Sequence, residues 1–467
     1  MINKMRDSKN RLFGTDGIRG TANEYPMTPD IVLKVGQAIG ILLNQQENQN
    51  KAEGKVKPIL KVVIGKDTRI SGYMIEQALS SGLNSMGVHV QLVGPLPTPG
   101  IGYLTRTMRA DAGVVISASH NAYLDNGIKI FGPDGFKLPE SMEKEIERLV
   151  FEEDLNKYLI KSKDIGRTKR IDDAQGRYIV YVKGTFPLEY TLEGLRIVLD
   201  TANGAAYKVA PSVFEELGAE VIVLGNTPNG FNINDKVGAL HPAKLSEAVL
   251  QYRADVGISL DGDADRVIMV DEKGDLINGD HILAICALSL KERGLLKNNT
   301  LVVTQMSNFG LEKKMKEEGI QVVKTAVGDK YVVEEMRKNG FNLGGEQSGH
   351  IIFLDHTTTG DGCIAALNVM AVMMHKNQKM SELNQVFEDM PQILINCRVK
   401  RREELSQIKG YRELIEKNEG LLGRDGRIFV RYSGTEPLLR VLVEGVDKIL
   451  ITDIAEEISK FLEKELT

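Results

Sequence analysis

The stretch VVIGKDTRISGYMIEQALSSGLNSMGVHVQLVG (residues 62–94) decides the fold, because its pattern occurs three times along the chain. An apolar run leads into a polar loop, then into a segment of helical period, a glycine and a second apolar run. The same plan returns at 195–225 and 299–328. Each copy predicts a strand–helix–strand unit. Such units form parallel-rich sheets covered by helices, with ligands at the carboxyl ends of the strands.

Each repeat is followed by a further apolar run that ends in a polar cluster: SASHN (117–121), LDGDADR (260–266) or GGEQSGH (344–350). Beyond about residue 370 no fourth copy of the unit appears. We therefore expect an α/β protein of three similar mixed α/β domains plus a smaller C-terminal α+β domain around a central cleft. The expected domain bounds are 1–155, 156–275, 276–370 and 371–467.

The composition narrows the class of protein. The chain has 467 residues and a formal net charge of −5, which argues against nucleic-acid or membrane-surface partners because those favour a basic face. The three cysteines stand far apart in apolar contexts, which suits the reduced thiols of a cytoplasmic protein. We also expect no secretory signal and no membrane span, since every apolar run is short.

The second polar cluster places three carboxylates at alternate positions, Asp261, Asp263 and Asp265. In an extended or tightly looped backbone alternate side chains face the same way, so all three could hold one hard cation such as Mg²⁺. An EF-hand fails because Arg266 stands where that loop needs glycine. A solvated acidic turn stays open as the plain structural alternative.

Ser119, in the first cluster, has two possible chemical roles. A hydrolase nucleophile elbow needs G-x-S-x-G, which is absent, and we expect the Ser119 and His120 side chains to diverge on an extended chain. Alternatively the serine carries a phosphoryl group, which bears roughly −1.5 to −2 charges and needs cations. Lys129, Arg19 and Arg266 are candidates. A polar strand end without chemistry is the structural alternative.

Two glycine-containing stretches add candidate anion sites. FGTDGIRG (13–20) packs three glycines around an acid and an arginine, which indicates unusual backbone angles or close approach to a ligand. RYSGTEPLLR (431–440) sets hydroxyls and two arginines around a glycine, a pattern that suits a phosphate but also a polar hairpin turn. GDGCIA (360–365) matches a dinucleotide fingerprint only weakly, since no strand ending in an acid follows at the expected distance.

Taken together, SASHN…DNGIK, DGDADR, GEQSGH and RYSGTEPLLR resemble the motifs of the α-D-phosphohexomutase superfamily, in the same order and across four domains. FGTDGIRG and GGEQSGH look most like its amino-sugar branch. The resemblance runs from about residue 11 to the C-terminus. It implies an isomerase that interconverts glucosamine 6-phosphate and glucosamine 1-phosphate through a phosphoserine. Glucosamine 1,6-bisphosphate would be primer or intermediate, and the product would supply amino-sugar nucleotide and cell-wall precursor synthesis.

The resemblance also implies a role for each matching residue. Ser119 would carry the phosphoryl group and, with the three aspartates, bind one Mg²⁺. If a crowded cationic site lowers the pKa of Lys129, that residue is the candidate general base, with His120 second. The remaining residues are expected around the phosphoryl group (Arg19, Arg266), at the sugar hydroxyls (Glu346, Ser348, with His350 close by) and at the non-reacting phosphate (Arg431, Ser433, Gly434, Thr435, Arg440).

The chain departs from the family pattern at two positions. Ala122 replaces the usual proline after SHN, which loosens the backbone. Lys330 stands where this branch commonly has arginine. The lysine keeps the positive charge but lacks the forked guanidinium group. A glucose or mannose phosphate mutase, or a non-catalytic sugar-phosphate sensor, remains an alternative. We expect a small-molecule substrate, no nucleic-acid or membrane partner and a possible homodimer.

Overall fold

The computed structural model describes residues 11–52, 59–432 and 438–466. Its first sheet has seven strands in the order β1-β2-β6-β5-β3-β4-β7. The strands are β1 Phe13–Gly14, β2 Gly17–Thr21, β3 Lys61–Lys66, β4 His89–Pro95, β5 Ala112–Ile116, β6 Asp125–Phe131 and β7 Thr168–Arg170. The helices of this part are α1 Pro29–Ala52, α2 Gly72–Ser85, α3 Thr98–Thr107 and α4 Glu140–Glu152. Strand β3 lies parallel to β4 and β5, as the first repeat predicts.

The second sheet has five strands in the order β12-β11-β10-β8-β9. These are β8 Arg196–Asp200, β9 Glu220–Leu224, β10 Val256–Leu260, β11 Val267–Asp271 and β12 Leu276–Ile277. The accompanying helices are α5 Ala174–Lys183, α6 Val209–Glu216 and α7 Ala243–Tyr252. Strand β8 is parallel to β9 and β10, so the second repeat also forms the predicted unit.

The third sheet has four strands in the order β14-β13-β15-β16. These are β13 Thr300–Thr304, β14 Gln321–Thr325, β15 Leu343–Gly345 and β16 Ile351–Phe353. Its helices are α8 Gly279–Glu292, α9 Phe309–Glu317, α10 Asp329–Asn339, α11 Gly362–Lys376 and α12 Met380–Leu383. Helix α11 is apolar around its circumference and buried, which suits a helix enclosed by other elements rather than one at a surface.

The C-terminal part is smaller and antiparallel. Its sheet has the order β17-β19-β18, with β17 Gln392–Arg398, β18 Gly426–Tyr432 and β19 Leu438–Gly445. Helices α13 (Tyr411–Leu422) and α14 (Lys448–Leu466) accompany it, and α14 buries Ile451, Ile454 and Ile458 at helical spacing. The predicted fold class, three mixed α/β units and a smaller α+β unit, is confirmed.

The first three sheets share one device that positions the polar clusters. Strands β5, β10 and β15 each lead into a cluster, and the chain then returns as an antiparallel neighbour. All three clusters therefore leave the carboxyl ends of strands, where α/β sheets bind ligands. The exact bounds between domains stay predictions. Within the described ranges no helix is long and apolar enough to cross a membrane.

Candidate active site

The loop after β5 holds Ser119 in an unusual backbone conformation. Its φ is +51°, in the left-handed region that costs energy for a residue with a side chain. The conformation is fixed by a short chain of hydrogen bonds. The Ser119 N–H donates to Ser117 Oγ at 2.9 Å, and the Ser117 hydroxyl donates to Asp67 Oδ2 at 2.6 Å. The loop is thus built to present one hydroxyl, and that hydroxyl is almost fully buried.

Arg69 holds this loop with all five of its N–H donors. Nε donates to Asp67 Oδ2 at 2.8 Å. The two Nη groups donate to the carbonyls of Ser119 (2.9 Å), Asn121 (2.8 Å), Asp125 (3.0 Å) and Ala122. The side chain is only 1% exposed. A planar fork with five donors suits this task as no other side chain does.

The three aspartates of the second cluster come together beneath Ser119. Their carboxylate oxygens lie within 4.8 Å of one another and all three residues are buried. The Ser119 hydroxyl donates to Asp261 Oδ2 at 2.6 Å. Burial, reinforced by the two neighbouring carboxylates, raises the pKa of Asp261 to about 8. Carboxylates this close favour a cation among them.

The cluster fits a hard divalent cation. Asp263 Oδ1 is buried and accepts no hydrogen bond within the described ranges. Its other oxygen accepts from the Thr98 hydroxyl at 2.6 Å, which fixes the orientation of the carboxylate. An oxygen-only donor set with an unused, fixed oxygen is what Mg²⁺ requires. The structure thus supports the predicted metal-ligating geometry.

The amine of Lys129 lies among carboxylates rather than cations. Nζ is 2.9 Å from Asp263 Oδ2 and 3.1 Å from Asp265 Oδ2. It is also 3.1 Å from Asp16 Oδ2. Burial alone would lower the pKa of Lys129, but the three carboxylates outweigh burial and raise that pKa well above its ordinary value. The condition for a general-base role of Lys129, a lowered pKa, is therefore not met, because the carboxylates outnumber Arg19.

His120 is turned toward the nucleophile. Its Nδ1 lies 3.3 Å from Ser119 Oγ, so the expected divergence of the two side chains is wrong; the positive φ of Ser119 bends the chain instead. Burial, together with the nearby guanidinium groups of Arg266 and Arg19, lowers the pKa of His120 to about 4. The imidazole is therefore uncharged at neutral pH and able to accept a proton.

The third cluster contacts the second. His350 Nδ1 is 3.5 Å from Asp265 Oδ1, and the Val267 N–H donates to the Gly349 carbonyl at 3.0 Å. Glu346 is held at both oxygens: it accepts from the Gly328 N–H at 3.1 Å and from the Ser348 hydroxyl at 3.2 Å. The three predicted residues of this loop are thus brought to the same cleft as Ser119.

The C-terminal sheet contributes two arginines. Arg431 and Arg440 stand directly opposite each other in the β18–β19 register, and like charges at opposite positions destabilise a sheet unless an anion joins them. Burial and the Arg440 charge lower the pKa of Arg431, while Glu346 acts in the opposite direction. Ser433, Gly434 and Thr435, predicted here as well, lie outside the described residues.

Several residues that form the site were missed by the sequence analysis. Arg69 lies in the polar loop of the first repeat, where the rule that ligand-binding loops follow strands could have found it. Asp16, Lys137 and Asp329 form ion pairs across the chain that no local spacing indicates. Lys330, one of the departures, pairs with Glu143 at 3.3 Å. GDGCIA proves to be a helix start, where Asp361 accepts from the Ile364 N–H at 3.0 Å.

Family models cover almost the whole described chain. Phosphoglucomutase/phosphomannomutase, alpha/beta/alpha domain I matches residues 10–157, domain II residues 177–274 and domain III residues 278–390. The C-terminal domain of the same family matches residues 394–461.

A protein of Bdellovibrio bacteriovorus named phosphoglucosamine mutase is 75% identical over 461 residues, which are 99% of this chain and 100% of that protein. The chain belongs to the phosphoglucosamine mutase family. The recognition of the phosphohexomutase superfamily from its motifs is thereby confirmed.

Solved structures share the phosphoglucosamine mutase fold at lower identity. A phosphoglucomutase/phosphomannomutase family protein from Burkholderia thailandensis has a TM-score of 0.78 at 22% identity and covers 98% of both chains. The N-acetylphosphoglucosamine mutase of Aspergillus fumigatus, solved with GlcNAc-6P and magnesium, has a TM-score of 0.65 at 19% identity. That alignment covers 98% of this chain and 96% of the other.

Proposed function

We propose that the protein is an isomerase that interconverts glucosamine 6-phosphate and glucosamine 1-phosphate through a phosphoryl group carried on Ser119. One observation carries the proposal: the Ser119 hydroxyl, on the first sheet, lies 2.6 Å from Asp261 in a three-carboxylate cluster on the second. A strained, buried serine beside a cation site suits phosphoryl transfer, which depends on positioning and charge neutralisation.

In the first half-reaction, a free hydroxyl of the sugar phosphate attacks phosphorus on Ser119. The new O–P bond forms as the bond to Ser119 Oγ breaks, which gives a 1,6-bisphosphate and a serine oxygen that takes up one proton to become the free hydroxyl. The hydroxyl proton needs an acceptor. Lys129 and His120 are the candidate acceptors, and His120 Nδ1 lies 3.3 Å from Ser119 Oγ. Lys129, Arg19 and Arg266 supply fixed positive charge beside the transferring group.

Asp261, Asp263, Asp265 and the Ser119 phosphate would hold Mg²⁺. When bound, this ion supplies charge that neutralises the phosphoryl oxygens.

The second half-reaction returns the other phosphate of the bisphosphate to Ser119. The sugar must turn over within the cleft, so a single clamp has to hold either phosphate. Arg431 and Arg440, paired across β18 and β19, are suited to this because guanidinium forks bind phosphate oxygens two at a time. Glu346, held at both oxygens, is suited to reading the sugar hydroxyls.

A substrate panel tests the proposed function. Protein whose Ser119 phosphorylation has been measured would be assayed with Mg²⁺ on glucosamine, glucose and mannose phosphates. We expect the glucosamine phosphates to turn over with the highest kcat/KM. A higher kcat/KM for glucose or mannose phosphate would contradict the substrate assignment, and absence of turnover with a bisphosphate primer present would contradict an enzymatic role.

A further inference from the structure

We propose that Lys137 is a positioning residue that keeps the sugar-reading loop fixed against the Asp16 loop of the first sheet, and so retains the bisphosphate between the two transfers. The proposal rests on the proposed function. Lys137 forms ion pairs with Asp16 and Asp329, and we name these three residues the Lys137 bridge. None of the motifs in the sequence contains Lys137, and it lies outside the residues that would touch the transferring group.

The Lys137 bridge joins two separate sheets. Lys137 Nζ donates to Asp16 Oδ1 at 2.6 Å on the side of the first sheet, and to Asp329 Oδ2 at 2.6 Å at the start of α10. The amine is 16% exposed and the two carboxylate side chains 24% and 10%. Little water therefore screens the two ion pairs, and both are geometrically short.

Each end of the bridge leads into the site. Asp16 Oδ2 lies 3.1 Å from Lys129 Nζ, beside the aspartate cluster. At the other end, Asp329 Oδ2 lies 3.3 Å from His350 Nε2. The residue before Asp329 is Gly328, whose N–H donates to Glu346. Moving Asp329 would therefore move the carboxylate that is placed to read the sugar.

A cavity reduces the apolar packing at the same interface. A cavity of about 540 Å³ separates α10 from the first sheet and its helices. Its walls include Leu42 and Leu43 of α1, Met142 of α4 and Val333 of α10. A space of this size forfeits the dispersion contacts that would otherwise hold α10 in place.

Polar contacts cross this interface, among them a hydrogen bond that the Thr358 hydroxyl donates to the Gly135 carbonyl at 2.6 Å. Besides the Lys137 bridge, Lys330 pairs with Glu143 and Arg337 with Asp134, each at 3.3 Å. These two ion pairs are longer, and the second is about half exposed, although Arg337 also lies over the Phe136 ring at 3.8 Å. Among the ion pairs across this interface within the described residues, the Lys137 bridge is the one that contacts site residues at both of its ends.

Loss of Lys137 would leave Asp16 and Asp329 as two buried carboxylates facing each other across the interface. Asp16 would keep Arg19 and Lys129 as cationic neighbours, but no cation would any longer join it to Asp329. Without that link, the cleft between the first and third sheets would open more readily. The bisphosphate would then leave before returning a phosphoryl group, and Ser119 would remain unphosphorylated until another bisphosphate donated one.

The experiment compares activity with and without added glucosamine 1,6-bisphosphate in Lys137→Met, Lys137→Arg and Asp329→Asn. Asp329→Asn breaks the far end while leaving Lys137 on Asp16. Arg337→Gln removes a half-exposed ion pair and a cation–π contact with Phe136 at the same interface without touching the bridge, and is the control. Mass spectrometry follows the fraction of Ser119 that carries phosphate during turnover, and circular dichroism checks folding.

We expect Lys137→Met and Asp329→Asn to lose on the order of 10- to 100-fold activity without added bisphosphate and to recover most of it with saturating bisphosphate. Ser119 should lose its phosphate during turnover in these variants. Lys137→Arg should behave more like the unmodified protein than Lys137→Met does. Arg337→Gln should show the same bisphosphate dependence as the unmodified protein.

The inference is overturned if folded Lys137→Met and Asp329→Asn show the same bisphosphate dependence as the unmodified protein, or if their lost activity is not restored by bisphosphate. If Lys137→Met does not fold, Asp329→Asn alone decides. Failure of the proposed function is a separate result, because unmodified protein would then show neither phosphate on Ser119 nor turnover.

Discussion

Replacing Arg69 by lysine would remove two of the five N–H donors that hold the nucleophile loop. Asn234 also donates to the carbonyls of Ser119 and Asn121, at 2.9 and 3.0 Å, so those groups keep one partner. We therefore take the lower end of the cost of a lost buried hydrogen bond, about 1 kcal/mol each. Two lost bonds give about 2 kcal/mol, which corresponds to roughly a 30-fold change in the local opening equilibrium.

Hydrogen exchange measures this opening directly. The Asn121 N–H donates to the Ala118 carbonyl and the Asp125 N–H to the Ala122 carbonyl, so both amides report on the loop. In Arg69→Lys we expect their exchange to accelerate roughly 30-fold and kcat to fall at least about tenfold, because Ser119 is less well positioned.

The same substitution at an exposed site is the control. Arg177 also forks onto a carboxylate, that of Asp173, at 2.9 and 2.7 Å, but its side chain is 47% exposed. Arg177→Lys should change stability by less than about 0.5 kcal/mol and leave kcat unchanged. If Arg69→Lys proved indistinguishable from Arg177→Lys in exchange and in kcat, the role assigned to Arg69 would be refuted.

Three further predictions concern the cation, the phosphate clamp and a buried acid. Mg²⁺ should raise the thermal midpoint of the unmodified protein but not that of Asp261→Asn. Turnover of Asp261→Asn should fall by about 100-fold or more. An equal Mg²⁺ response in the two proteins would contradict the metal site. Arg431→Gln should raise KM by about tenfold or more with a smaller effect on kcat in steady-state assays, and an unchanged KM would reject the clamp. Burial raises the pKa of Asp280 to about 7, so folding favours its protonated carboxyl. The stability that this adds is present at pH 4 and lost as the pH rises through 7. The thermal midpoint of Asp280→Asn relative to unmodified protein should therefore increase over that range, and a constant difference would show that Asp280 does not titrate there.

The sequence predicts most of the fold because its signals are local and repeated. The three repeats predict that SASHN, LDGDADR and GGEQSGH lie at the ends of strands. Strands β5, β10 and β15 do end there. The small edge strand β7 was not anticipated, since three exposed polar residues carry no periodic pattern. It forms because β4 offers it a parallel partner.

The site is predicted less completely, because its electrostatics depend on residues far apart in the chain. Lys129 was expected among cations, yet Asp16 and the aspartate cluster surround it. Lys137 reaches acids 121 and 192 positions away, and neither spacing leaves a trace in the local pattern. The backbone angle of Ser119, which turns His120 toward Oγ, is likewise set by tertiary contacts with Arg69.

The most direct measurement is the fate of phosphate on the peptide that contains Ser119. Mass spectrometry of purified protein should find that peptide phosphorylated. Mixing with limiting glucosamine 6-phosphate should convert it to free serine as a sugar bisphosphate forms in equal amount. Persistence of full isomerase activity in Ser119→Ala, or phosphate confined to another residue during turnover, would contradict transfer through this serine.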